Sequence, residues 1–222
     1  MDRRILCYGD SNTWGCIPRW KDLGIPSDRY GEDIRWPARL ARLLDCQVIE
    51  EGLGGRTTMY EMPGESWRNG LTYLDPCLRS HRPLDLVVLM LGTNDLQDCF
   101  RLTVERMGDG VRALVGTVQA VDFCGRERTA PPVLVVAPTL IKAGQGRTEV
   151  YGKYGCDRGG ELSRHFAEVY RQAAEDLDCY FLDAALYAAP SDADGLHWMP
   201  ESHIRFAGAA AEKIREIFGE RA

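Results

Sequence analysis

The chain has 222 residues, of which 45% are hydrophobic and 27% are charged. This is the composition of a folded globular protein, which excludes intrinsic disorder, and the length is ordinary for a single α/β domain over residues 1–222. The net charge of −6 argues against nucleic acid as a partner, because nucleic-acid-binding proteins usually carry a basic surface.

The apolar runs are too short to cross a membrane. The run Leu84–Leu91 ends at Gly92, well below the roughly 18 to 20 residues that a spanning helix needs. The first apolar stretch meets Gly9 too early for the core of a signal peptide. The eight cysteines are scattered, with no Cys-x-x-Cys pair, and we find no cysteine–histidine group at zinc spacing. We therefore expect a cytoplasmic protein with reduced thiols, no bound metal and no membrane partner.

Apolar runs of strand length alternate with longer segments of helical period, which is typical of a parallel sheet covered by helices. Five strands are predicted, at Ile5–Tyr8, Gln47–Glu50, Leu84–Leu91, Val133–Ala137 and Tyr180–Leu182. Four helices are predicted, at Trp36–Leu44, Val104–Val121, Glu161–Leu177 and Ile204–Phe218. The aperiodic segments Cys16–Arg35 and Ala143–Gly159 are predicted as loops. The fold class is therefore α/β, a three-layer α/β/α doubly wound sandwich with a five-stranded parallel sheet.

The first predicted strand runs directly into a polar turn, Gly9–Gly15 (GDSNTWG). This turn places the Ser11 hydroxyl at the carboxyl end of a strand, where open α/β sheets bind their ligands. Taken alone, the segment is better interpreted as a turn or a helix N-cap, because Asp, Ser and Asn all serve there.

Polar or glycine-rich turns also follow the next two predicted strands. Gly52-Leu53-Gly54-Gly55 comes after the second strand, but it lacks the full G-x-G-x-x-G pattern of a dinucleotide site. Gly92-Thr93-Asn94-Asp95 comes after the third strand, at what would be the same edge of the sheet. Before the last helix, Asp194 precedes His197 by three residues, close enough for the carboxylate to orient the imidazole.

These four blocks, taken in order and spacing, resemble the SGNH (GDSL-like) hydrolases from Ile5 to about His197. The nearest likeness is to the bacterial arylesterase and acyltransferase branch, through the three segments Arg4–Ser11, Glu50–Thr58 and Leu91–Asp95. The resemblance implies a flavodoxin-like SGNH hydrolase fold and a serine esterase that hydrolyses short-chain, acetyl-type esters without a cofactor. It also implies acyl transfer to alcohols or peroxide as a further activity, and a homo-oligomer.

The resemblance also implies roles for individual residues. Ser11 attacks the ester carbonyl, His197 accepts and later returns the proton, and Asp194 fixes the imidazole tautomer. The oxyanion is bound by the backbone N–H groups of Ser11 and Gly55 and by the side-chain amide of Asn94. Gly55 is preferred to Gly52 and Gly54 because it directly precedes Arg56-Thr57-Thr58.

Two positions depart from the family pattern, since Asn12 replaces a leucine and Glu50 replaces an asparagine. We expect both to alter substrate preference or packing rather than to abolish catalysis. An unpaired Asn12 amide and the charged loops would disfavour a long alkyl chain, so short acyl groups are expected to react best. The expected substrate-binding residues flank the catalytic blocks: Asp10, Asn12, Trp14 and Trp198. For the two tryptophans, simple packing is an equal alternative.

Two other functions remain open on the sequence. The same constellation could serve a carbohydrate acetylesterase, and the fold could also carry a non-enzymatic binding module. The small-molecule partner is an ester in both enzymatic interpretations. His81, His165 and His203 are expected to be loop or surface residues outside the reaction.

Overall fold

A computed structural model describes residues 3–18, 28–126, 129–142 and 152–220 of the chain. Within these ranges five parallel strands form one sheet in the order β2-β1-β3-β4-β5. The strands are β1 (Arg4–Gly9), β2 (Gln47–Gly52), β3 (Leu86–Met90), β4 (Val133–Ala137) and β5 (Tyr180–Asp183). This is the strand order of flavodoxin-like doubly wound sheets.

Helices pack on both faces of the sheet. They are α1 (Ser11–Trp14), α2 (Trp36–Leu44), α3 (Gly70–His81), α4 (Val104–Ala120), α5 (Asp157–Ser163), α6 (Phe166–Asp176) and α7 (Pro200–Ile217). Successive strand side chains alternate between two apolar clusters. Leu6 and Val87 cluster with α3, α4 and α6, whereas Ile5 and Leu86 cluster with α2 and α7. The predicted three-layer α/β/α sandwich is therefore confirmed.

Helix α3 has no counterpart in the sequence prediction. Its interior contains Pro76, a residue that normally indicates a helix boundary. The helix forms because Asn69 caps it, accepting the Thr72 backbone N–H at 3.2 Å, and because Leu74 and Leu78 bury one face in the core.

The single helix predicted at Glu161–Leu177 is two helices, α5 and α6. The Ser163 hydroxyl donates to the Gly160 carbonyl at 2.7 Å and accepts the Ile141 N–H at 3.0 Å, which ties the end of α5 to the segment after β4. Helix α5 also corrects the end of the loop predicted at Ala143–Gly159. The earlier part of that loop, through residue 151, and residues 19–27 of the loop predicted at Cys16–Arg35 lie outside the described residues.

The strand order reverses beside β1. From β1 the chain moves outward to β2 and then returns to β3 on the other side of β1. Crevices at such reversals, outside the carboxyl ends of the strands, are where open α/β sheets bind ligands. Ser11 follows β1 and Asn94 follows β3, so both lie beside this crevice. None of the helices in the described part of the chain combines the length and apolar character needed to span a membrane.

Candidate active site

The turn after β1 presents Ser11 at the start of α1. The Asp10 carboxylate accepts the Asn12 backbone N–H at 3.0 Å and so caps this short helix, which ends at Gly15 in a left-handed conformation (φ 87°). Strand β2 ends directly against α1, because a Cβ at Gly52 would lie 2.2 Å from the Trp14 nitrogen. Ser11 itself keeps 8% of its surface exposed on this capped and closely packed turn.

The loop before α7 brings His197 to Ser11. The His197 Nε2 atom lies 3.0 Å from Ser11 Oγ, and His197 Nδ1 lies 2.7 Å from Asp194 Oδ2. The other carboxylate oxygen of Asp194 accepts the Ser191 hydroxyl and the backbone N–H groups of Leu196 and His197, each at 3.0 Å. A serine, an imidazole and an oriented carboxylate in one hydrogen-bonded chain are the groups that nucleophilic acyl transfer requires.

The pKa values of Asp194 and His197 shift in opposite directions. Burial alone would raise the pKa of Asp194, but hydrogen bonds from the His197 ring and from the backbone lower it. Burial alone would lower the pKa of His197, but its hydrogen bonds to Asp194 and Cys16 raise it. Asp194 therefore stabilises the protonated imidazole, which is the form the ring takes after it accepts a proton.

Asn94 lies in the 3₁₀ turn Thr93–Leu96 after β3, on the other side of the crevice. Its Oδ1 accepts the Tyr154 hydroxyl at 3.0 Å and the Gln97 side-chain amide at 3.2 Å. Its Nδ2 donates one hydrogen to the Arg56 carbonyl at 3.1 Å. An amide nitrogen carries two hydrogens, so this arrangement fixes the orientation of the group and leaves a second donor.

The neighbouring Asp95 ties this turn to the segment after β2. Its carboxylate accepts the backbone N–H of Thr58 at 2.8 Å and the Thr58 hydroxyl at 2.5 Å. Burial raises the pKa of Asp95 to about 7. The GTND motif therefore supplies one residue facing the crevice and one that holds the two turns together.

The three glycines of the turn after β2 have different surroundings. Gly52 is required by the contact with α1, whereas a Cβ at Gly54 would meet nothing within 4 Å. Gly55 has a positive φ of 80° and precedes Arg56, whose carbonyl accepts the Asn94 amide. The backbone thus brings Gly55 beside Asn94, as the choice of Gly55 requires, and its role as an oxyanion donor stays a prediction.

The side chains of Asp10, Asn12 and Trp198 contact the protein's own groups. Asp10 caps α1 and is 3% exposed, and burial raises its pKa to about 6. The Asn12 amide bonds to the backbone of Leu196 and Trp198. The Trp198 indole is fully buried, and its Nε1 donates to the Thr139 hydroxyl at 3.0 Å. For Trp198 these contacts favour packing, the equal alternative to lining a substrate pocket, and its part in substrate binding stays a prediction.

Trp14 is the predicted substrate-binding residue that keeps partial exposure beside the turn. The Arg29 guanidinium lies over its ring at 3.8 Å, and Arg29 Nε donates to the Trp14 carbonyl at 2.7 Å. Glu50 pairs with both Arg29 and Arg35, at 3.0 and 2.6 Å. Glu50, which replaces the asparagine of the family pattern, thus pairs with the arginines of a charged cluster over Trp14. Contact of Trp14 with substrate stays a prediction.

Two of the remaining histidines differ from expectation. His203 is not a surface residue but is fully buried in α7 between Tyr30 and Trp198, and burial lowers its pKa to about 3. His81 is the last residue of α3 rather than part of a loop. His165 is exposed, as predicted.

One group within the described residues could hold a metal ion. The ligand atoms of Glu51, Cys77 and His81 lie within 4.8 Å of one another, which corrects the expectation that no cysteine and histidine are grouped at zinc spacing. Cys77 and His81 are one helical turn apart on α3, a relation that was hidden because this helix was not predicted. His81 Nε2 lies 3.2 Å from Glu51 Oε1, and the Tyr73 hydroxyl donates to the same oxygen at 3.3 Å. These bonds already occupy one oxygen of the carboxylate, and we interpret the group as a hydrogen-bonded cluster.

Tyr154, Gln97 and Arg56 contact Asn94 but were absent from the predicted site. Gln97 follows Asn94 by three residues, and one turn of helical spacing could have indicated it. Tyr154 comes from an aperiodic segment 60 residues further along the chain, and no local pattern connects the two.

Comparison with known proteins supports one family. The GDSL-like Lipase/Acylhydrolase family model matches residues 7–210. Est24, a carbohydrate acetylesterase from Sinorhizobium meliloti, has a similar structure, with 37% identity, a TM-score of 0.90 and coverage of 98% of this chain and 100% of that chain. The aryl esterase of M. smegmatis is similar over 96% of this chain and 99% of that chain, at 36% identity and a TM-score of 0.88.

A further carbohydrate acetylesterase family member from Sinorhizobium meliloti is 33% identical, with a TM-score of 0.88 and coverage of 98% and 99% of the two chains. A comparison with curated protein sequences found no match. The family match spans most of the chain, and the three similar structures described above are named as esterases. The chain therefore belongs to the GDSL-like lipase/acylhydrolase family and is a carboxylic ester hydrolase with the SGNH hydrolase fold.

Proposed function

We propose that Ser11, His197 and Asp194 hydrolyse esters through an acyl-serine intermediate. The observation that carries this proposal is the continuous chain of contacts, with 3.0 Å from Ser11 Oγ to His197 Nε2 and 2.7 Å from His197 Nδ1 to Asp194 Oδ2. Hydrogen-bond contact with a nucleophile is the first requirement for a general base, and the contact with Asp194 selects the tautomer whose Nε2 is free to accept a proton.

In the first half of the reaction, neutral His197 takes the Ser11 proton as Oγ attacks the ester carbonyl. The resulting imidazolium is stabilised by Asp194 and returns the proton to the leaving alcohol, so the acyl group stays on Ser11. In the second half, His197 removes a proton from water, which attacks the acyl-serine and releases the carboxylic acid and the free Ser11 hydroxyl.

The oxyanion of each tetrahedral intermediate is proposed to lie between the Ser11 and Gly55 N–H groups and Asn94 Nδ2. In support, the Asn94 oxygen is occupied by two donors, so the nitrogen is the part of the amide available to substrate. Removing one such donor typically costs about 3 to 4 kcal/mol of transition-state stabilisation.

Replacement of Ser11 tests the mechanism. Ser11→Ala should lower kcat by at least about 10³-fold while leaving the fold intact, and it should abolish covalent labelling by a fluorophosphonate. Ser80→Ala, on the exposed face of α3, is the matched control and should retain both activities. More than about a tenth of wild-type turnover in Ser11→Ala would remove Ser11 as the nucleophile.

The substrate class favoured is a short-chain, acetyl-type ester. Trp14 lies beside the nucleophile turn but is covered by Arg29, which is itself paired with Glu50. Burying an alkyl tail against this ion pair would remove charges from water, which opposes the gain of about 0.8 kcal/mol per buried methylene. The values of kcat/KM for p-nitrophenyl esters should fall from two to eight acyl carbons. A maximum at eight carbons would overturn this preference and leave the serine mechanism untouched.

A carbohydrate acetylesterase is the second candidate, supported by the two Sinorhizobium meliloti proteins named as such. Acetylated sugars and aryl acetates share the acyl group and differ only in the alcohol, so one panel compares the two candidates directly. Higher kcat/KM for the sugar acetates would favour this candidate. A wild-type protein that is folded but inert to every ester and to the fluorophosphonate would instead support a non-enzymatic binding module.

Several finer properties stay proposals. We propose one domain over residues 1–222, a cytoplasmic homo-oligomer without a nucleic-acid partner, and a reaction that needs no cofactor or metal. Light scattering tests the assembly, and unchanged activity after EDTA treatment tests metal independence. Acyl transfer is tested by adding an alcohol and measuring the new ester against the released acid.

A further inference from the structure

Asn12 lies directly after Ser11 and reaches across to the loop that carries His197. Its Nδ2 donates to the Leu196 carbonyl at 3.3 Å, and its Oδ1 accepts the Trp198 backbone N–H at 3.1 Å. Leu196 and Trp198 are the residues on either side of His197, so one side chain bonds the peptide groups before and after the imidazole-bearing residue.

These contacts leave little of Asn12 for substrate. The residue is 4% exposed, and both polar atoms of its side chain have backbone partners. The backbone N–H of Asn12 is also occupied, because it donates to the Asp10 carboxylate. These contacts therefore favour a role between two parts of the protein over the predicted role of this side chain in substrate binding.

Apart from the contact between the His197 ring and Ser11, the other hydrogen bonds of the His197 loop among the described residues lie within the loop or lead away from α1. The Ser191 N–H donates to the His197 carbonyl at 2.8 Å within the loop, and the Gly195 carbonyl accepts from Lys142, in the segment after β4. The Trp198 indole also reaches toward that side, through Thr139. The Asn12 amide instead ties the loop to the helix that carries Ser11.

We propose that Asn12 is a positioning residue that keeps His197 in register with Ser11 by bonding both flanking peptide groups. The proposal rests on the proposed function, in which His197 is the base. It also explains why an asparagine stands at the position where the family motif has leucine. A leucine could fill the space, but it could not form a hydrogen bond with either peptide group.

The first test compares Asn12→Leu with a neighbouring control, Thr13→Val. Thr13 is fully buried on the same helix, and its hydroxyl has no hydrogen-bond partner among the described residues, so the control also makes a buried polar residue apolar. Because a misplacement of about 1 Å can cost on the order of 10²-fold in rate, we expect Asn12→Leu to lower kcat and the fluorophosphonate labelling rate by about 10- to 100-fold. We expect KM to change by less than about threefold. Thr13→Val should stay within about twofold of wild type in all three measurements.

The second test uses Asn12→Asp, which keeps the acceptor for Trp198 but changes the group that faces the Leu196 carbonyl. A protonated carboxyl can donate to that carbonyl, whereas an ionised one repels it, and burial raises the pKa of the introduced group. The rate of Asn12→Asp relative to wild type should therefore fall as the pH rises from about 5 to 8. The ratio for Asn12→Leu should be flat. Asp10, Asp194 and His197 also titrate near this position, so wild type is measured at every pH.

An NMR measurement on His197 tests the positioning role of Asn12 independently of the proposed function. The proton between His197 Nδ1 and Asp194 gives a far-downfield NMR resonance when the ring is held in place, and this signal requires no turnover. Asn12→Leu should broaden or lose the signal, and Thr13→Val should retain it. Activity in Ser11→Ala would refute the proposed function, while the resonance would still report on Asn12.

Wild-type kcat, labelling and resonance in Asn12→Leu would overturn the positioning role. A loss of rate in Asn12→Asp that does not vary with pH would also overturn it, since that result describes a general packing defect. If Asn12→Leu does not fold, the pH dependence of Asn12→Asp and its resonance decide the question.

Discussion

The two sides of the crevice hold their functional groups by different means. On the base side, the ring and the backbone N–H of His197 both bond to the carboxylate of Asp194, three residues away, and Asn12 links the same loop to α1. On the oxyanion side, the Asn94 amide is fixed by the side chains of Tyr154 and Gln97. The bonds to Asp194 keep His197 next to Ser11. The bonds from Tyr154 and Gln97 instead fix the orientation of the Asn94 amide, so that its nitrogen is the end left for the substrate.

This difference predicts how each side responds to mutation. A base-side variant should alter proton transfer and its pH dependence, because the His197 ring and its charge are affected. An oxyanion-side variant should alter kcat at every pH, because the donor geometry changes without a titrating group.

The largest effect is expected for Asp194→Asn. An amide cannot stabilise the imidazolium and can select the wrong tautomer of His197, so kcat should fall by about 10³- to 10⁴-fold. Asp192→Asn is the matched control, because Asp192 lies in the same loop with an exposed side chain that pairs with Lys142. The control should retain wild-type kcat. A loss of less than about tenfold in Asp194→Asn would mean that His197 acts without this carboxylate.

The dependence of kcat/KM on pH gives a second test of the base side of the crevice. His197 is an active base only when neutral, so kcat/KM should fall as the pH drops below the pKa of this ring. The contact with Asp194 raises that pKa, which places the acid limb above the ordinary value of 6.5. In Asp194→Asn the Asp194 contribution to the raised pKa is gone and only the contact with Cys16 still raises it, so the limb of the residual activity should move to lower pH. An acid limb that stays in place would contradict Asp194 as its cause.

Asn94→Ala should produce the next largest effect. Loss of one oxyanion donor should lower kcat by about 10²- to 10³-fold, with a much smaller change in KM, because the donor acts mainly in the transition state. The acid limb should stay where it is in wild type, unlike the result for Asp194→Asn. A steep rise in KM with unchanged kcat would make Asn94 a ground-state binding residue.

The parts of this site that the sequence predicted are those that lie within one short segment. Ser11, Asn94 and the pair Asp194 and His197 each lie in a short motif that follows a strand or precedes a helix, and the resemblance of these motifs to the SGNH hydrolases singled them out. All five strands were located for a related reason, although the third was drawn too long: Leu84 makes only an isolated bridge with Gly125 before β3 begins at Leu86.

The positions of several other side chains could not be predicted from local patterns, for physical reasons. Trp198 adjoins His197 in sequence, but it packs on Phe206 in the core, because neighbouring side chains of a loop point in different directions. His203 was recoverable, since it lies three residues before Phe206 on the buried face of α7. Tyr154 was not recoverable, because only the folded chain brings it to Asn94.

The smallest effect is expected for Tyr154→Phe, which deletes one of the two donors that orient Asn94. Tyr154 is buried, and burial raises the pKa of its hydroxyl far above the working range, so it donates at every pH of the assay. With Gln97 still bonded to the Asn94 oxygen, the amide keeps its orientation, and kcat should fall by only about three- to tenfold.

The double variant Tyr154→Phe with Gln97→Leu is the decisive measurement for the oxyanion side. If the two side chains maintain one orientation of the same amide, either alone suffices, and the loss in the double variant should exceed the product of the two single losses. The acid limb should not move in any of the three variants, because none of them contacts His197. A loss equal to the product of the single effects would mean that the two donors act independently, and a shifted acid limb would mean that the two sides of the crevice are coupled.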